Sequence, residues 1–104
     1  MSVDEFRKLA SGRPPSGLPA PLVALLRDAR GDWDGAHQAA QEGEIQEGAW
    51  VHAYLLRKEG DLGNAGYWYR RAGRPVPTCG LDAEWAQIAA ELLKEYEPAG
   101  RAAQ

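Results

Sequence analysis

The chain has 104 residues, 44% of them apolar and 26% charged, with a formal net charge of -3. That length fits one domain with a modest core, and that balance excludes a mainly disordered chain. A net negative charge gives no long-range attraction to phosphate backbones or anionic lipid, so neither nucleic acid nor a membrane is an expected partner, although Arg70, Arg71 and Arg74 form a local basic cluster.

In chain order, "SVDEF" places Ser2 three residues before Glu5, a capping box, with Val3, Phe6 and Leu9 at helical spacing. A short first helix is predicted. "SGRPPSGLPAP" then reads as a semi-rigid Pro/Gly strap, so residues 1–20 form a helix and a strap, and helices resume near Pro21. The N-terminal stretch is amphipathic and carries acid, unlike a signal peptide, and no apolar run approaches the roughly 20 residues of a membrane span. A cytoplasmic location is expected.

From residue 21 the chain repeats itself. Aligning "PLVALLRDARGDWDGAH" with "WVHAYLLRKEGDLGNAG" superposes Ala24 on Ala53, Leu26 on Leu55, Gly31 on Gly60, Asp32 on Asp61 and Ala36 on Ala65. Each unit is helix, Gly-Asp, helix. The glycine suits the left-handed residue that ends one helix, and the aspartate suits the cap of the next. Residues 21–74 are thus predicted to form two stacked hairpins, their second helices spanning 32–42 and 61–72, the latter with Leu62, Ala65, Trp68, Tyr69 and Ala72 on one buried stripe. After "RPVPTCG", residues 81–97 form a closing helix with Leu81, Trp85, Ile88, Leu92 and Tyr96 on its apolar face, and the tail is expected to be loose. Asp82, Glu84, Glu91 and Glu95 read as its wet face. No strand pattern competes, so the predicted fold is a single all-α domain, residues 1–104, of about six helices.

"GDLGNAGYWYRRAG" resembles the second helix of a Sel1-like or tetratricopeptide repeat, which implies stacked helical hairpins but no particular peptide groove. Residues 28–74 more closely resemble a group of short bacterial proteins with the pattern "GDWDxAH…AWVHAYLHRKEGDxxNAxYWYRRAG", a resemblance that brings no reaction with it. The chain departs from that pattern at Leu56, where the group has a second histidine, and at Leu26 and Arg27, where it tends to have two tryptophans. Leucine in place of tryptophan at Leu26 frees volume for a pocket, and the chain reads as either a natural variant or an engineered one.

His37 and His52 lie eight and seven residues from Ile45, so in an antiparallel hairpin they sit at nearly the same height, with Trp33 and Leu56 one turn further from the loop. Three readings of the pair are open. It can be a buried hydrogen-bonded pair, ring to ring or with Tyr54 or Tyr69. It can be the remnant of a zinc site whose third ligand is lost at Leu56, leaving Glu59 or Glu44 as weak substitutes. It can be a ligand or catalytic pocket walled by Trp33, Leu26, Trp50, Leu56 and Trp68, with His37 as base and His52 orienting it. No metal and no cofactor is expected, and Cys79, which has no activating neighbour in the sequence, reads as an incidental loop thiol. The leading expectation is a binding or assembly module with a histidine-containing pocket for a small aromatic ligand. A homodimer is expected because the helix at 48–59 is apolar around most of its circumference. The runner-up is a small cofactor-free enzyme that hydrolyses an activated ester or abstracts an acidic proton.

Overall fold

The computed structural model describes residues 1–12, 15–42 and 45–96, and it is all-helical over them. The helices are α1 (Val3–Lys8), α2 (Ala20–Ala29), α3 (Trp33–Glu42), α4 (Ile45–Glu59), α5 (Leu62–Ala72) and α6 (Leu81–Glu95), with a 3-10 turn at Leu9–Ser11. The tail, two residues of the strap and the two residues joining α3 to α4 lie outside the described residues.

Local signals set most of these boundaries. The Ser2 hydroxyl accepts from the Glu5 amide while the Glu5 carboxylate accepts from the Ser2 amide, so both ends of the capping box close α1. Both Gly-Asp turns are built alike: Gly31 and Gly60 take φ of 85° and 96°, and Asp32 and Asp61 donate their amides to the carbonyls of Arg27 and Leu56, five residues back. The Asp32 carboxylate then accepts from the Gly35 amide and that of Asp61 from the Asn64 amide.

Each hairpin closes over small residues. Ala24, Ala36, Ala39 and Ala40 are buried in the first, and Ala53, Ala65 and Ala72 in the second, so the helix axes approach closely around Leu22, Leu25, Leu26, Val51 and Leu55. The capping helix α6 lies across α1, α2 and α4. Its Trp85 stacks on Phe6 at 5.7 Å and donates its indole N–H to the Leu25 carbonyl at 3.0 Å, which ties the first and last helices to α2.

Two expectations change. The segment of α4 from Gly48 to Leu56 is buried within one chain, because α4 is the central helix and meets α2, α3, α5 and α6, so its apolar circumference is no evidence for a second copy. Leu62 is 68% exposed, not part of the buried stripe of Ala65, Tyr69 and Ala72. It lies 29 residues on from Trp33, at the position that in the first hairpin faces α4; no described helix stands beyond α5 to cover it.

Candidate functional site

The alanines of α3 turn toward the core, leaving Trp33 and His37, four residues apart, on the side that meets α4. There the His37 Nε2 lies 2.7 Å from the His52 Nε2, with the rings nearly perpendicular. One nitrogen donates and the other accepts, so the pair holds a proton on the axis between the rings. His37 is half-buried and His52 only 6% exposed. Burial first, and then the neighbouring His37, lower the pKa of His52 to about 4, so its imidazole is neutral at physiological pH.

Two indoles bracket the pair. Trp33 stacks nearly parallel on His37 at 4.8 Å and donates its N–H to the Leu55 carbonyl at 3.0 Å, which fixes the indole against α4. On the other side His52 stacks on Trp68 at 4.1 Å. Beyond it, Arg71 reaches over Trp68 and bonds the Tyr67 hydroxyl at 3.1 Å. The rings therefore form a column, Trp33, His37, His52, Trp68, that joins α3, α4 and α5 across the two hairpins.

The other expected pocket residues do not join this column in the same way. Trp50 precedes His52 by two residues, roughly 200° around α4, and is covered by the Arg74 guanidinium at 3.8 Å from its ring. Leu26 and Leu56 are buried members of the continuous core. A cavity of about 600 Å³ lies elsewhere, between α1, α2, α4 and α6. Glu59 is exposed and Glu44 lies outside the described residues; among the described residues no three His, Cys, Asp or Glu side chains are grouped to hold a metal ion.

Neither tyrosine expected as a histidine partner serves as one. Tyr54 donates to Asp28 at 2.7 Å and Tyr69 to Glu84 at 2.5 Å. Glu84 is 1% exposed, a buried anion and not part of a wet face, because Arg57 also pairs with it at 2.7 Å. Arg57 further donates to the Cys79 carbonyl, and Lys58 pairs with Asp28 at 2.8 Å. Burial, and then the bonded carboxylate, push both phenols well above their usual range, so they stay protonated donors. Sequence reading missed these two buried carboxylates. The available signal was Tyr54, Arg57 and Lys58 at helical spacing on α4, a set of donors that implies anions opposite.

No family model matches the chain, and neither a curated protein nor a solved structure is significantly similar to it.

Proposed function

We propose that the chain is a small helical binding module whose recognition element is the half-exposed Trp33–His37 face of the ring column, taking a small aromatic ligand. The observation that carries this reading is the parallel stack of Trp33 on His37, held from behind by the hydrogen bond to a buried, neutral His52. An indole and an imidazole fixed in one orientation offer a flat apolar surface with a polar edge, the combination that small-molecule sites use to orient planar ligands. Titration with a panel of small aromatic acids, amides and alcohols, followed by the indole and imidazole NMR resonances, tests it. Saturable shifts confined to Trp33 and His37 are expected; shifts absent there for every compound sink the reading.

A second reading rests on the same bond. If His37 donates its Nε2 proton to His52, its Nδ1 lone pair is free to take a proton from substrate, and the resulting charge strengthens the bond to His52. His37 is then the base of a cofactor-free hydrolysis or proton abstraction, with His52 as a positioning residue. Homodimerisation belongs to the binding reading. Its support is Leu62, exposed where the repeat places the partly buried Trp33. Light scattering at micromolar concentration, with Leu62→Glu as the disruptive control, tests it, and a monomeric parent removes it. A cytoplasmic module is the setting this reading assumes; no helix among the described residues is long and apolar enough to cross a membrane.

A further inference from the structure

The cavity of about 600 Å³ is remote in composition from the ring column and carries the chemistry of a different site. Its wall draws on α1, the 3-10 turn, α2, α4 and α6, so residues far apart in sequence converge on it. Three of its lining side chains are cationic: Arg7, Arg30 and Lys58.

The carboxylates in the wall do not cancel them. Asp28 is 5% exposed, and both its oxygens are engaged, one by the Tyr54 hydroxyl and one by the Lys58 ammonium. Its charge is therefore compensated from within the wall, and Lys58, with one of its three N–H groups on Asp28 and a side chain 40% exposed, keeps donors for a further acceptor. Arg30 is held by the Ala10 carbonyl through Nε and by the Gly12 carbonyl through Nη2, neutral acceptors that orient the guanidinium without discharging it. Arg7 lies over the Trp85 ring at 4.5 Å, a contact that likewise leaves its charge intact. Among the described residues that line the cavity, the one other carboxylate facing Arg7 and Arg30 is Asp82, exposed on the first turn of α6. The cavity thus has one positive charge in excess, with fixed donors.

We infer that this cavity is a binding site for a small organic oxyanion, a carboxylate or a phosphate ester, held by Arg7, Arg30 and Lys58. The volume is within the range of small-ligand sites, and guanidinium forks match the paired oxygens of both anion types. The Trp85 ring gives the organic part of the ligand an apolar wall.

The test uses the full chain and four probes at matched ionic strength: inorganic phosphate, a phosphate monoester, a dicarboxylate and sodium chloride. The Trp85 indole resonance and the melting temperature are followed. Saturable movement of that resonance, with a rise in melting temperature, is expected for the oxyanions and not for chloride. A response to the phosphate probes alone, or to the dicarboxylate alone, assigns the source of the anion. Arg7→Gln removes a charge that makes no hydrogen bond among the described residues and should weaken the responding probe by about tenfold. Lys58→Arg keeps the Asp28 pair and should bind at near-parental strength, which separates loss of charge from loss of fold. No saturable response beyond chloride overturns the inference, and so does binding that Arg7→Gln leaves unchanged.

Discussion

The Nε2 atoms of His37 and His52 stand 2.7 Å apart, so the two imidazoles share one proton where two protonated rings would repel. The first consequence is a dependence of stability on pH. His52 has its folded pKa lowered from 6.5 to about 4, so the unfolded chain takes up a proton before the folded chain does. The stabilisation is therefore complete above the unfolded pKa of 6.5 and is lost as pH falls from there toward 4. By pH 5 the loss should reach about 2 kcal/mol. Urea unfolding at pH 7.5, 6 and 5 measures it, with His52→Gln as the reference whose profile should be flatter over that window. Equal pH slopes in parent and variant would contradict the assignment of the loss to His52.

The same bond separates the binding reading from the catalytic one. Removing either ring leaves the other without its partner and should cost on the order of 1 to 3 kcal/mol. If His37 is also a base, activated aromatic esters and acidic C–H substrates should turn over, and His37→Ala should abolish that turnover while His52→Ala weakens it less. Melting curves and turnover measured on the same two variants decide the matter. Stability lost with no turnover in the parent leaves only the binding reading.

What the sequence made legible was local or periodic. The Ser2–Glu5 box and the two Gly-Asp turns are written within a few residues, and the common height of His37 and His52 follows from counting outward from Ile45 along two antiparallel helices. Trp68, by contrast, reaches His52 from the next hairpin, and its place could be guessed but not counted. The buried carboxylates were illegible for a related reason: Asp28 and Glu84 find their partners on helices 26 to 30 and 15 to 27 residues away in sequence, and an acidic residue alone carries no sign of burial. Leu62 was misplaced because periodicity shows which residues share a face and not whether another helix covers it.

Glu84 offers a stability test apart from the histidines. Its oxygens accept from Arg57 and from Tyr69 in a site with 1% exposure, so Tyr69→Phe deletes one of two donors to a buried anion. The expected loss is about 1 to 3 kcal/mol, seen as a lower urea midpoint with an unchanged slope. Tyr67→Phe, on an exposed ring two residues away, should change stability by no more than about 0.5 kcal/mol. Similar losses for the two substitutions would deny Glu84 its role in joining α4, α5 and α6.

The last prediction concerns Leu56, which stands one turn along α4 from His52 and is 5% exposed. Leu56→His places two histidines four residues apart on the helix opposite His37, the spacing that lets two imidazoles meet one zinc ion. The present pair is too close for that: two nitrogens on one tetrahedral zinc stand about 3.3 Å apart, so the His37–His52 bond must open and its proton must leave. Without metal, the new ring brings a polar group into a site now filled by leucine and should cost about 1 to 3 kcal/mol. With zinc, the variant should recover stability in proportion to the logarithm of free zinc concentration, whereas the parent should gain much less. Chelator-competed zinc titrations should give the variant an affinity at least about tenfold above the parent, decreasing toward acid pH as protons compete with zinc for the imidazole nitrogens. His37→Ala in the same background should remove most of that gain. A gain that survives His37→Ala would place the metal on α4 alone and rule out a three-histidine site across the hairpins.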